Sequence, residues 1–307
     1  MLTSVVVGSR GIRTSEWANG HRGCRRIAAV VLAVFFFAAC FEEPEQTTRL
    51  GSNAPIAIAI DRAADFLSDR SLEYDELWFV NQASARLGEP FTRWAPALRP
   101  LGSPQWAERV LSNLRNIELH RPDPLPYPSD IEPTPRAPLT HEFKRTVRLI
   151  GRMLLSASSC SAADPESLEP LVRQVTRDSW GYLLCHQAWA LVVGITRGCL
   201  GPAESEMLRE AMARRILGEL LASEEVTDLG IEQMATLCLL GLCEWIPDAY
   251  VRRLVELQEP SGSWGDLPGE GVPENSLREE HTVALAFYTL ANLWDVEPQP
   301  RLPSAFP

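Results

Sequence analysis

Apolar residues recur along most of this chain at three- and four-residue spacing, and hardly anywhere at the two-residue spacing of a strand. The pattern predicts helices over Ile56–Arg70, Tyr74–Leu87, Pro104–Asn116, His141–Ser158 and Pro165–Arg177, then over Gly181–Thr196, Glu204–Ala222, Leu229–Trp245, Asp248–Gln258 and His281–Trp294. Three of these, at 181–196, 229–245 and 281–294, are apolar nearly all round, which requires burial on every side. The others carry a single apolar stripe and belong on the outside. Alternating inner and outer helices predict an all-α domain of packed α-hairpins, arranged as a partial or compact α/α toroid. One stretch interrupts the pattern: Leu119–Thr140 holds seven prolines in 22 residues. That density excludes a helix or a central strand and predicts an extended loop inserted into one domain. A weak repeat agrees with paired helices: Gln233-Met-Ala-Thr-Leu237 aligns with His281-Thr-Val-Ala-Leu285 at an offset of 48, with Cys185–His186 about as far upstream.

The N-terminus breaks from this pattern. Arg10, Arg13, Arg22, Arg25 and Arg26 face a single acid, Glu16, and thirteen apolar residues, Ile27 to Ala39, then run up to Cys40. A basic segment followed by an apolar run of this length predicts a secretory signal. A membrane-spanning helix would need about 20 apolar residues. Phe37-Ala38-Ala39-Cys40 resembles the bacterial lipoprotein lipobox, although Phe37 stands where leucine is usual. The resemblance implies that residues 1–39 are removed and Cys40 is lipidated; ordinary cleavage near Ala39 is the alternative. Residues 40–55 then read as lipidated cysteine and tether, 56–295 as the helical domain, and 296–307 as a Pro-rich tail. The expected address is the cell envelope, with the membrane as partner through the lipid on Cys40, or a soluble exported protein if the cysteine is unmodified.

Charge narrows the partners. The chain has 307 residues, 29 basic and 40 acidic, a net −11 that becomes −15, with 24 basic and 39 acidic residues, once 1–39 are gone. Such a surface repels phosphate and disfavours nucleic acid. Of the basic residues only Lys144 is a lysine. Arg209, Arg214, Arg215, Arg252 and Arg253 fall on the polar faces of outer helices, where they should solvate a surface. Beyond Cys40 there are five cysteines: Cys160, Cys185, Cys199, Cys238 and Cys243. An odd number leaves at least one outside any disulfide. Within one continuous helix, Cys238 and Cys243 point to different faces, so a bond between them is not expected.

Leu257-Gln-Glu-Pro-Ser-Gly-Ser-Trp-Gly265 holds Gln-x3-Gly-x-Trp in Gln258, Gly262 and Trp264. The motif resembles the QW motif of triterpene cyclases and related prenyltransferase-like toroids, in which glutamine and tryptophan tie adjacent hairpins. The resemblance spans Asp248 to Trp294 and implies fold, not chemistry; the Asp-x-Asp-Asp acid motif and the Asp-x-Cys zinc motif of those enzymes are absent. Trp180-Gly-Tyr-Leu-Leu-Cys-His-Gln187 followed by Arg197-Gly-Cys199 is similar to a secreted family that includes a human chromosome-16 open-reading-frame protein of unknown function. There a Thr-His-Gln stands in place of Cys185-His186-Gln187. That resemblance implies an exported all-α domain and no particular activity.

His186 and Gln187 are the polar pair in an otherwise apolar helix. Burial without partners would cost about 1–3 kcal/mol each, so they either join a core network or sit at the mouth of a central cavity. A zinc set of Cys185, His186, Cys199 and His281 is superficially similar to the Cys-His of lanthionine-cyclase toroids. However, adjacent residues diverge by about 100° on a helix, and no C-x-x-C or H-x-x-x-H spacing supports the set. No other cofactor is expected. Acids beside aromatics (Glu73, Asp75 and Glu76 before Trp78, Asp266 after Trp264, Glu279 and Glu280 before His281) could supply the paired carboxylates of a glycan-acting site. They could equally be ordinary acidic helix starts. Two function classes follow: an envelope-tethered binding or scaffold domain for a small or polymeric ligand, or a glycan hydrolase on a toroid. Both rest on the candidates His186, Gln187, His281, Trp264, Asp266, Asp75 and Glu76.

Overall fold

A computed structural model describes residues 50–87, 123–135, 143–265, 267 and 279–294, apart from short breaks at 69, 71, 73, 165, 167, 169, 174–178 and 224. The predicted signal, Cys40, the helix at 104–116, Asp266 and the Pro-rich tail lie outside the described residues. Among the described residues the elements are α1 (Leu50–Ser68), α2 (Tyr74–Leu87), α3 (Phe143–Ser159), α4 (Pro170–Arg173), α5 (Gly181–Thr196), α6 (Pro202–Leu221), α7 (Asp228–Leu239), a 3₁₀ turn (Cys243–Trp245), α8 (Asp248–Leu257) and α9 (Glu279–Leu293). The fold is all-α: no strand occurs among them.

The three helices expected inside are inside. Every residue of α7 is buried, as is every residue of α9 from Thr282 to Leu293 and most of α5. They pack in a row, α5 on α7 and α7 on α9; α3, α4 and α6 cover α5, and α2 covers α9. Leu184, Leu191, Ile231, Leu237, Leu285, Phe287 and Leu290 fill the space between them. The described residues from 52 onward belong to one compact unit.

Helix ends depart from the periodic reading where specific residues intervene. The helix expected from Ile56 begins at Leu50 and takes in Pro55, so it reaches into the stretch read as tether. The helix expected at 165–177 is helical only at Pro170–Arg173 among the described residues. The helix expected to run from Leu229 to Trp245 stops at Leu239. Gly241, at φ 75°, lets its own N–H donate to Cys238 and that of Leu242 to Leu237. This paired closure is the Schellman motif, which needs a left-handed residue at that place. Gly198 closes α5 in the same way.

The closures correct the expectation about cysteines. Because the chain turns back at Gly241 instead of continuing as helix, Cys238 and Cys243 come to a Cα separation of 4.2 Å and form a disulfide. Cys160 and Cys199 form a second, from the end of α3 to the residue after the α5 closure. Cys185 stands outside both and is buried.

The Pro-rich segment lies across the domain. Within its described part, 123–135, the Leu125 carbonyl accepts from the Trp245 indole, the Thr134 N–H donates to the Gly218 carbonyl on α6, and Asp130 pairs with Arg214. Tyr127 packs edge-on against Trp245.

Candidate functional site

The first two turns of the three inner helices each carry polar residues, Tyr182 and His186 on α5 among apolar ones, and these meet. Thr227 caps α7, its hydroxyl accepting from the Gly230 N–H. The next residue, Asp228, is 1% exposed. The Tyr182 hydroxyl on α5 donates to Asp228 Oδ2 at 2.9 Å, and the Thr282 hydroxyl on α9 donates to Oδ1. His281 Nδ1 lies 3.8 Å from the same Oδ1. One turn further along α7, Glu232 Oε1 lies 3.2 Å from His186 Nδ1, which also contacts the Tyr182 carbonyl at 2.8 Å. A carbonyl can only accept, so the proton sits on Nδ1 and Nε2 is turned the other way.

The result is two carboxylates on one face of α7, each holding a histidine from a neighbouring helix. The carboxylates are buried, whereas the His186 and His281 side chains are 20% and 22% exposed. The imidazoles are therefore the edge of the cluster that a ligand can reach.

Electrostatics sets the balance at three of these groups, His186, Asp228 and Tyr182. Burial works against a charged His186, but the Glu232 carboxylate and the Tyr182 carbonyl outweigh it, and the pKa stands above the ordinary 6.5 despite the opposing charge of His281. Burial would likewise raise Asp228. His281, Thr282 and Tyr182 together outweigh it and hold the carboxyl below its usual range. Burial, with Asp228 and Glu232 beside it, pushes the Tyr182 phenol far above the tyrosine value, so it acts as a donor and not as a base.

His186 and His281 share this cluster. Gln187, next in sequence, is buried. Trp264 and Gln258 belong elsewhere: the Trp264 indole donates to the Leu254 carbonyl in the last turn of α8, and the Gln258 amide donates to the carbonyls of Ala59 on α1 and Gly262. Gly262, at φ 91°, presses so close to α1 that a Cβ there would overlap the Arg62 carbonyl. The Gln258–Gly262–Trp264 motif thus fastens α8 to α1. Trp264, one of the candidate site residues, serves here in that fastening. Glu76 is buried on α2; the Asp75 side chain and Asp266 lie outside the described residues.

One further expectation is corrected, that of Arg209 as a surface residue, and one of the residues weighed for zinc has another role. Cys199 is bound to Cys160, which removes it from the zinc set, and no group of three or more His, Cys, Asp or Glu among the described residues is arranged to hold a metal. Arg209, read as surface, is buried and donates to the Leu240 carbonyl, one of those left open where α7 ends.

Tyr182, Asp228, Glu232 and Thr282 were not singled out by the sequence reading. Their signal was present: acids four apart, Asp228 and Glu232, open a helix otherwise as apolar as the one carrying His186. Compared with family models, with curated proteins and with solved structures, the chain matches none. Among the described residues no helix is long and apolar enough to cross a membrane.

Proposed function

We propose that the chain is an exported cell-envelope lipoprotein, anchored through Cys40, whose toroid-like helical domain binds a ligand at the His186–Glu232 and His281–Asp228 cluster. One observation carries the site: two buried carboxylates are each held by a part-exposed imidazole. Buried ionic groups seldom add net stability over apolar side chains of similar size, so a fold alone has little need of them, whereas a binding site does. Export is supported by the two disulfides, which persist in oxidising compartments. The toroid is supported by the convergent starts of the three inner helices and by the Gln258–Trp264 fastening.

The test has two arms. Cell fractionation should find the wild type with membranes and Cys40→Ala released from them; release of both would remove the anchor. Thermal shift of the soluble domain against sugars, amino acids, nucleotides and short peptides should find a stabilising class whose effect is lost in His186→Gln and His281→Gln. No shift from any class, or shifts unchanged in the variants, would sink the binding reading.

A glycan hydrolase remains the second reading, now resting on Asp228 and Glu232 instead of Asp75, Glu76 or Asp266. The favouring observation is that these are two carboxylates one turn apart, each coupled to an imidazole able to move a proton. Release of reducing sugar from a soluble oligosaccharide, abolished by Glu232→Gln, would move the assignment from binding to catalysis.

A further inference from the structure

The turn between α6 and α7 and one face of α8 form a half-open cavity of about 320 Å³, at the lower end of the range for small-molecule sites. Ala249, Arg252, Arg253 and Glu256 recur at three- and four-residue spacing and so share that face of α8. Tyr250 fixes the helix against the turn: its hydroxyl donates to the Leu220 carbonyl at the end of α6 and reaches the Ser223 carbonyl at 2.8 Å. The Ser223 hydroxyl in turn donates to the Glu225 carbonyl, which shapes the chain ahead of Val226. Neither histidine of the cluster described above lines this cavity, nor does either of its carboxylates.

Its lining divides into an apolar floor and a charged rim. Val226 and Tyr250 are buried and Ala249 is half-buried, whereas Glu225, Arg252, Arg253 and Glu256 are exposed. Arg253 and Glu256 lie 3.6 Å apart and serve each other. Glu225 and Arg252 line the same cavity, yet neither has an ion-pair partner among the described residues. Exposed charges keep their water at little cost; what selects a ligand is the apolar floor that two unlike charges share. A lone anion would meet Glu225 and Glu256 as well as the arginines, and a lone cation the reverse, so a single charge gains little. A molecule with both charges and an apolar group uses every feature. Its carboxylate accepts from the Arg252 guanidinium, whose planar fork matches that group. Its ammonium donates to Glu225, and its apolar part leaves water for Val226, Ala249 and the Tyr250 ring. We propose that this cavity is a second binding site, for a free amino acid with an apolar side chain. It stands apart from the His186–His281 site and does not depend on it.

Calorimetric titration of the full chain, purified in detergent, tests this with L-phenylalanine and L-leucine, and separately with phenethylamine, 3-phenylpropionate and glucose. At least one amino acid should bind saturably. Phenethylamine and 3-phenylpropionate, each lacking one charge, should bind about tenfold more weakly than phenylalanine, as loss of one charged hydrogen bond implies. Arg252→Ala and Glu225→Gln, both at exposed positions, should each weaken the amino acid by about the same factor while melting stays cooperative by circular dichroism. Ala249→Phe, which places a ring on the floor, should weaken it too, and His186→Gln should leave the affinity as it is. No saturable heat with either amino acid, equal or tighter binding of glucose or of a singly charged analogue, or unchanged affinity in Arg252→Ala or Glu225→Gln would overturn the assignment. So would loss of binding in His186→Gln, which would move the ligand to the histidine cluster.

Discussion

The Tyr182 hydroxyl donates to Oδ2 of Asp228 at 2.9 Å, joining the first turns of two inner helices 46 residues apart. Asp228 is buried and its other oxygen serves Thr282 and His281, so Tyr182 is a large part of what keeps an ionised carboxylate inside the domain. A hydrogen bond to a buried charge contributes about 1.5–3 kcal/mol. Tyr182→Phe should lose about that much in urea denaturation. Adding Asp228→Asn to Tyr182→Phe should then cost less than Asp228→Asn alone, because the partners no longer depend on one another. Additive losses would mean that the hydroxyl does not support the carboxylate.

His186 makes the domain sensitive to pH on the alkaline side. Its folded pKa is raised above 6.5, chiefly by Glu232 against the opposing effect of burial. A raised value means that the folded state holds the proton more tightly than the unfolded one. The resulting stability is complete below pH 6.5 and is lost as pH rises through the folded pKa. Asp228 acts at the other end: its depressed pKa contributes stability above the ordinary carboxylate value near 3.8, lost as pH falls through the lower folded one. Denaturation midpoints across pH 3–9 should fall on both sides, and His186→Gln should flatten only the alkaline limb. An alkaline limb unchanged in that variant would show that another group titrates there.

Much of this was legible in the periodicity. Helices apolar on all faces, such as Gly181–Thr196 and His281–Trp294, had nowhere to go but inside, and a proline-dense stretch could only be a loop. What escaped depends on where helices stop and what lies across from them. Cys238 and Cys243 pair because Gly241 reverses the chain between them. Arg209 sits on a helix face read as polar, yet it is buried because the end of α7 leaves carbonyls for it to satisfy. Nothing in the spacing of Asp228 and Glu232 says what faces them; only the neighbouring helices make them partners for His281 and His186. Pairing between elements is a tertiary fact, and a local pattern carries little of it.

The Cys160–Cys199 disulfide closes a loop across 39 positions of sequence, from the end of α3 to the end of α5. The chain-entropy relation gives about 4 kcal/mol for a loop of this size, and removal of native disulfides costs about 2–5 kcal/mol. Cys160→Ser with Cys199→Ser should lower unfolding free energy within that range, with no further loss on adding reductant unless Cys238–Cys243 also contributes. Intact-mass measurement after alkylation should find only Cys185 of these five reactive, and only once the protein is unfolded, since it is buried. Labelling at Cys160 or Cys199 in the oxidised protein would contradict the pairing.

Gly262 offers a sharp test of the α8–α1 fastening. Its φ of 91° already disfavours any side chain, and a Cβ would collide with the backbone carbonyl of Arg62, which cannot swing aside as a side-chain tip can. Gly262→Ala should therefore cost more than the roughly 1–3 kcal/mol typical of a strained backbone position alone. Trp264→Phe removes only the N–H that reaches Leu254 and some buried surface, and should cost less. Equal effects from both would mean that contact at Gly262 is looser than the geometry requires.

Trp245 holds the Pro-rich segment down. Its indole, itself buried, donates to the Leu125 carbonyl at 3.1 Å, and Tyr127 leans on its ring. The other attachments are thinner: Thr134 to Gly218, and an Asp130–Arg214 pair whose aspartate is largely exposed. Exposed pairs of that kind contribute about 0–1 kcal/mol. Trp245→Phe should thus free the segment more than Asp130→Ala does. Thermolysin, which cuts before residues such as Ile131, reports this directly: cleavage there should quicken several-fold in Trp245→Phe and little in Asp130→Ala. The reverse order would place the hold on the ion pair. Trp245→Phe also removes buried apolar surface from the 3₁₀ turn, so cleavage must be read where circular dichroism still shows a fully folded population. Under those conditions local opening of the segment, and not global unfolding, sets the rate.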